Sequence, residues 1–256
     1  MITSNQNPRI KLARALLGRS KERRDAGAFV AEGVRLVEEA VSAKWPVRFV
    51  LYNNELSERG MRLVEKCTAD NIEVEEVSES IMRSLSETET SQGILAVLND
   101  SRLPIPEPLD FVLIPDQIRD PGNLGTLLRT AAATGVQAVW IPPETTHAFA
   151  PKVIRAGMGA HFKLPIHAMS WDEIEKSTQG IQVLIADMEG QSCWKTNLRQ
   201  PLVLIVGSEA EGASESARRM AGGKISIPMA GEVESLNAGV AGSVLMFEVV
   251  RQRSNP

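Results

Sequence analysis

Five apolar runs of strand length follow one another in the second half of the chain: "FVLIPD" at 111–116, "AVWIP" at 138–142, "QVLIAD" at 182–187, "LVLIVG" at 202–207 and "KISIP" at 224–228. Loops and helix-type sequence separate them. Runs that are apolar on both faces must be covered on both sides, which is what a parallel sheet flanked by helices provides. The rhythm therefore predicts an open, mostly parallel α/β sheet over residues 110–256. In such sheets ligands sit beyond the carboxyl ends of the strands. The segments that follow Asp116, Gly207 and Pro228 are the places to look for chemistry.

Upstream, "SRLPIPEPL" at 101–109 carries three prolines in nine positions. It fits neither a helix interior nor a central strand and reads as a linker. Residues 1–100 then form a small α/β domain of their own. It opens with a basic helix, on which Leu12, Ala15 and Leu16 share a face, and a short strand near Ala28–Ala31. A second helix follows, then the alternating strands "VRFVLYN" and "NIEVEEVS" around the helical "SERGMRLVEKCTA", and a last strand "GILAVLN".

No apolar run approaches the roughly 20 residues that span a bilayer. The first residues are polar and basic, unlike a secretory leader. Cys67 and Cys193 lie far apart, and His147, His161 and His167 lack ligand spacing. The expectation is a cytoplasmic protein with neither a disulfide framework nor a metal site.

The net charge of −4 argues against a polyanionic partner, but its distribution does not. Arg9, Lys11, Arg14, Arg19, Lys21, Arg23 and Arg24 face a single acid, Glu22, within residues 1–24. A segregated basic patch matters more for phosphate binding than the whole-chain sum. Charge alone leaves nucleic-acid binding and a solvated helix face equally open.

Three loops carry the chemistry. In "DQIRDPGNLGTLLRTAAATG", Asp120 and Pro121 suit a helix cap and first turn, and Gly135 suits its stop. Leu124, Leu127, Leu128, Ala131 and Ala132 make the apolar stripe, while Arg129 shares its face with the small residues Gly122, Gly125, Thr126 and Ala133. That leaves room in front of the only long side chain there, and Asn123 can aim at the same space. In "LVLIVGSEAEGASESA" a buried strand ends at Gly207, where a ligand can approach backbone closely. A dinucleotide GxGxxG fingerprint is absent. In "ISIPMAGEVESLNAGVAGSV", Ser235 and Asn237 stand at the mouth of a helix of small residues; Ser235 reads as its N-cap and Asn237 as a polar residue of its first turn, with a binding role as the other account.

Together the three loops resemble the signature motifs of the SpoU/TrmH family of RNA ribose 2′-O-methyltransferases, of the SPOUT class. "DPGNLGTLLRTA" resembles the first motif, with Asn123 and Arg129 at its polar positions. "LIVGSEAEG" is similar to the second through Gly207, Glu209 and Gly212, and "ISIPMAGEVESLNAGVA" to the third through Pro228, Met229, Gly231, Ser235, Leu236 and Asn237. Ala238 stands where valine is commoner. Residues 1–100 look like the L30e-like substrate-binding module of many members.

The resemblance implies a deep trefoil knot in the C-terminal domain, a homodimer, and S-adenosylmethionine bound near Gly207, Ile227, Pro228, Met229 and Leu236. It implies Asn123, Arg129, Glu209, Ser235 and Asn237 as the reacting set, and RNA contacts along the N-terminal basic residues. Ribosomal RNA of the large subunit is the expected substrate; tRNA, or a knotted RNA-binding protein without activity, is the alternative. Arginine holds its proton too firmly for easy base catalysis, so Arg129 is expected to bind the adjacent phosphate and stabilise the developing alkoxide.

Overall fold

The computed structural model describes residues 1–86, 91–231 and 235–254; residues 232–234 of the third loop lie outside that description. The chain falls into two compact units, 1–101 with 149–155 and 102–148 with 156–256.

The first unit contains α1 (Pro8–Gly18), α2 (Ser20–Ala26), β1 (Ala28–Glu32), α3 (Val34–Ser42), β2 (Val47–Tyr52), α4 (Glu58–Ala69), β3 (Val74–Glu76), α5 (Glu79–Leu85) and β4 (Ile94–Asn99). Its sheet runs β1-β4-β2-β3, with only the β2–β3 pair parallel. The basic segment is two helices rather than one, because Arg19 adopts an extended backbone between them. Asn7 caps α1, and its buried face is Ile10, Ala13, Leu16 and Leu17. Leu12 and Ala15, expected inside, are only half-buried. Helix α5, short and broken from the strand pattern, was not legible in the sequence.

The second unit begins with β5 (Phe111–Pro115), α6 (Pro121–Ala133) and β6 (Ala138–Ile141). It continues through α7 (Pro151–Gly157), whose first residues group with the other unit, β7 (Ile166–Ala168), α8 (Trp171–Ser177) and β8 (Gln182–Ser192). Then come β9 (Leu202–Val206), α9 (Glu215–Met220), β10 (Gly223–Ser226) and α10 (Ala238–Ser254). All the pairings are parallel, in the order β10-β8-β9-β5-β6-β7. The expected sheet is present, and its central strands β5 and β9 are buried throughout. Only the three-residue β7 escaped the sequence pattern. Among the described residues no helix is long and apolar enough to cross a membrane, and no cluster of His, Cys, Asp or Glu could hold a metal ion.

Helix α6 lies on this sheet by Leu124, Leu127, Leu128 and Ala131, while Ala132 is exposed. Gly125 is buried, and a Cβ there would stand 2.3 Å from the Ala156 Cβ. The space expected beside Arg129 at this glycine is filled by α7. One turn further, a Cβ on Gly157 would stand 2.7 Å from the His161 ring. His161 is fully buried, and its Nε2–H donates to the Ala148 carbonyl at 2.8 Å.

Burial pushes the His161 pKa down from 6.5 to about 4, so the fold holds the ring neutral. Its stabilising contribution is complete above pH 6.5 and drains as the pH falls towards 4. At 1.36 kcal/mol per unit the loss amounts to about 3 kcal/mol. Denaturation midpoints between pH 7 and 4 should fall more steeply for the wild type than for His161→Gln; parallel slopes would refute this.

Candidate active site

Strands β5 and β9 are neighbours in register, with Pro115 opposite Val206, although the chain departs from them in opposite directions across the sheet. That reversal is a topological switch point, where α/β sheets place their ligands. The loops that follow, 116–120 and 207–213, therefore lie side by side.

Strand β8 supplies a wall. Lys224 of β10 pairs with Ile185, but the next residue, Ile225, pairs with Gln191, so residues 186–190 swing out of the ladder. Gly190 permits this crossing, since a Cβ there would lie 2.5 Å from the Ile225 nitrogen. Lys224 Nζ fastens the bulge, 2.8 Å from Asp187 and 3.3 Å from Glu189. The same ammonium holds the Asp187 carboxyl below its ordinary range. Between bulge, loop and α10 lies a cavity of about 350 Å³, lined among others by Gly207, Glu209, Ile227, Met229, Ser235 and Leu236. Pro228, expected in this wall, lies between two lining residues without lining it itself.

At the rim three polar side chains meet. The Asp120 carboxylate accepts from Asn123 N–H at 2.8 Å and fixes the first turn of α6. Asn123 Nδ2 donates to Glu209 Oε1 at 2.8 Å, and Asn237 Nδ2 donates to the same oxygen at 2.6 Å. Asn237 Nδ2 also lies 2.8 Å from Asn123 Oδ1, while Ala238 N–H completes the Glu209 set at 3.0 Å. The carboxylate thus sits on the positive end of α10. Asn237 Oδ1 accepts from Val240 N–H at 3.2 Å, so Asn237 is the cap of α10. Ser235 is not that cap: the helix starts at Ala238, too far along the chain for it.

Hydrogen bonds to a charged group are worth about 1.5–3 kcal/mol. Glu209→Ala should lower kcat/KM roughly tenfold to a hundredfold, whereas Glu209→Gln, which keeps one acceptor oxygen, should lose several-fold. Equal losses in the two variants would show that the acceptor oxygen is unimportant.

Ser235 is exposed, and among the described residues its hydroxyl has no partner. Arg129 is likewise exposed and makes no hydrogen bond or ion pair among them. It stands six residues along α6 from Asn123, roughly 9 Å at 1.5 Å per residue. Asn123, Glu209 and Asn237 therefore form one cluster, Ser235 faces the cavity beside it, and Arg129 belongs to neither. Arg129 shares an exposed stripe with Gly122, Thr126 and Ala133. Close packing of α10 on α6 explains the small residues behind Asn237. A Cβ on Gly239 would come to 3.3 Å from Thr126 and one on Gly242 to 2.3 Å from Leu127, and Ser243 meets Thr130 at 2.8 Å.

The basic residues of 1–24 divide into two groups. Arg9 is held by Glu73 and Glu75 and lies over the Phe49 ring. Arg23, expected among the outward cations, is buried and donates to the Leu16 carbonyl at 2.6 Å, joining α2 to α1. Arg14 binds Asn5 and Ser84. Lys11, Arg19, Lys21 and Arg24 are exposed and without partners among the described residues. One cation at the rim, Arg119, escaped the sequence reading; it stands 3.8 Å from both Glu144 and Glu211.

A parallel sheet of the SPOUT methyltransferase class, with a polar cluster at the rim of its cavity, is what this fold and site define, and solved structures agree. The SpoU methyltransferase AviRb from Streptomyces viridochromogenes, in complex with AdoMet, superposes with a TM-score of 0.85 at 30% identity over 98% of this chain and 100% of that one. An AdoMet-bound rRNA methyltransferase from Sinorhizobium meliloti gives 0.86 at 29% identity over 98% and 97%. Residues 110–247 match the SpoU rRNA Methylase family, and residues 7–96 match the MRM3-like substrate binding domain. The chain belongs to the SpoU rRNA methylase family. Among curated relatives, the 23S rRNA (uridine(2479)-2'-O)-methyltransferase of S. viridochromogenes is 31% identical over 98% of this chain and 92% of its own. The 23S rRNA (guanosine(2553)-2'-O)-methyltransferase RlmP of Bacillus subtilis is 30% identical over 97% and 98%.

Proposed function

We propose that this protein methylates a ribose 2′-hydroxyl of 23S rRNA with S-adenosylmethionine, in the cytoplasm and as a homodimer. The single observation that carries the reading is the Asn123–Glu209–Asn237 cluster at the rim of a cavity of about 350 Å³. That volume falls within the range of about 300–1,000 Å³ of small-molecule sites. The apolar walls Ile227 and Leu236 and the bare backbone at Gly207 suit a nucleoside with an amino-acid tail. When bound, S-adenosylmethionine supplies a methyl group already activated on a sulfonium.

The chain's own residues have to align the hydroxyl and handle its proton. Ser235, at the cavity wall and with no hydroxyl partner among the described residues, orients the ribose. Both polar atoms of Asn237 are engaged within the chain, so it sets the rim, with Asn123 and Glu209. Arg129 grips the phosphate beside the target ribose and steadies the oxygen as its proton leaves to a phosphate oxygen or to water.

Arg129 reaches the chemistry across a dimer, where the partner's cluster faces it. The exposed apolar stripe Val240, Val244 and Phe247 of α10 adjoins the α6 stripe, and Trp194 is 61% exposed beside Val244 and Phe247. Charge on this stripe opposes burial against a second copy, so Phe247→Glu should sediment as a monomer and lose methyl transfer. A dimeric, active Phe247→Glu would place the interface elsewhere. Lys11, Arg19, Lys21 and Arg24 of the first unit are the RNA-holding cations of this reading.

The deciding experiment is calorimetry with S-adenosylhomocysteine, followed by transfer of labelled methyl to 23S rRNA and to tRNA. Cofactor binding with 23S labelling is expected. RNA binding without cofactor binding would overturn the reading, and labelling of tRNA alone would replace its substrate.

A further inference from the structure

One residue outside the cavity touches both ends of the loop that forms it. Asp116, at the carboxyl end of β5, is fully buried. Its N–H donates to the Val206 carbonyl at 2.8 Å, immediately before Gly207. Its Oδ2 accepts from Ser214 N–H at 2.6 Å, immediately after Ala213. The intervening segment supplies Gly207 through Ala213 to the cavity wall and is closed on itself by the Ser208–Gly212 pair, at 2.9 and 3.0 Å, and by Glu211 N–H, which donates to Ser208 Oγ at 3.1 Å.

A buried carboxylate is an expensive choice for a tether. Oδ1 has no hydrogen-bond partner among the described residues, and burial pushes the carboxyl above its ordinary pKa, against the Ser214 bonds. The charged groups that reach it are Glu144, which opposes the ionised form, and Arg218, which favours it. An apolar residue would pack there more cheaply, but it would leave Ser214 N–H without an acceptor. Ser214 is also the cap of α9, its Oγ accepting from Ala217 N–H at 3.2 Å. The loop is therefore strung between a strand end and a helix start, and Asp116 holds the two anchorages at a fixed separation.

We propose that Asp116 is a positioning residue for the cofactor: it does not itself line the cavity but sets the conformation of the 207–213 loop that binds S-adenosylmethionine. The proposal rests on the cofactor reading given above. It explains why a polar residue ends the central strand at the switch point, where packing alone calls for an apolar one.

The test compares Asp116→Ala and Asp116→Asn with the wild type, by calorimetry with S-adenosylhomocysteine and by hydrogen exchange of the Ser208 and Gly212 amides without cofactor. D116A is expected to weaken S-adenosylhomocysteine at least tenfold and to speed exchange at both amides. Its KM for S-adenosylmethionine should rise in parallel with that loss of affinity, while its KM for RNA should stay within about threefold of wild type. D116N, which keeps an acceptor for Ser214, should recover most of the affinity. A folded D116A with wild-type affinity and exchange overturns the proposal, as does a D116N no better than D116A. If D116A does not fold, D116S, whose hydroxyl is too short to reach Ser214, decides in its place. A wild type that binds no S-adenosylhomocysteine would sink the cofactor reading, while the exchange rates would still tell whether Asp116 pins the loop.

Discussion

Arg129→Lys should lose methyl transfer by roughly a hundredfold to a thousandfold at every pH, the scale of removing one group that stabilises transition-state charge. The expectation follows from geometry. A guanidinium exposed on α6, without partners among the described residues, is available to a phosphate in a two-pronged grip that an ammonium cannot reproduce. If Arg129 were the base, lysine would serve better than arginine, because its ordinary pKa is about 10.4. Activity would then persist, and the alkaline limb of the rate profile would move down. Persistence with a shifted limb is the result that would reject the phosphate role. Affinity for S-adenosylhomocysteine should not change in either case, because Arg129 does not line the cavity.

The second large effect is expected at Gly207. Its φ is not in the left-handed region, so the requirement for glycine there is spatial rather than torsional. A Cβ would stand 2.3 Å from the Gly212 carbonyl carbon and 2.4 Å from the Ala213 nitrogen. Backbone cannot step aside as a side-chain tip can, so Gly207→Ala must open the loop that walls the cavity. Overpacking of this kind costs about 1–3 kcal/mol, and most of it should appear as weakened cofactor binding, roughly tenfold to a hundredfold. Gly222→Ala is the control: its Cβ would meet only the Val183 carbonyl oxygen, at an ordinary 3.7 Å. Calorimetry on the two variants separates a local requirement from a general intolerance of alanine. Equal affinities would show that the loop tolerates the methyl.

The two predictions probe different halves of the site. Gly207 lies within the cavity and Arg129 on an outer face, and no hydrogen bond joins them. A site assembled from one chain would be expected to bring its charged residue into contact with its polar cluster. The separation is why the dimer enters the proposed function, and it makes Phe247→Glu and Arg129→Lys converge on the same loss by different routes.

Much of the second unit was legible because its signals are local. Five strand-length apolar runs specify a sheet covered on both sides, and Asp120–Pro121 specify where α6 starts. Asn123, Glu209 and Asn237 could be singled out as polar residues in strand-end loops. Their meeting could not be read: Asn123 and Asn237 are 114 positions apart, and only the strand order, with α10 packed on α6, brings them to 2.8 Å. The cap was read locally too, as Ser235 with Asn237 in the first turn, and the structure instead makes Asn237 the cap because α10 begins at Ala238.

The sequence by itself determined the parallel sheet, the loops at its strand ends and the residue types able to serve there, since each depends on periodicity and on backbone preferences within a few residues. Tertiary structure alone decided that α7 fills the space at Gly125, that Arg23 turns inward to a carbonyl, that Arg129 stays apart from the polar cluster, and that Asp116 ties both ends of the cavity loop. These outcomes depend on which side chains compete for the same volume and the same hydrogen-bond partners after distant segments have met. No local pattern records that competition.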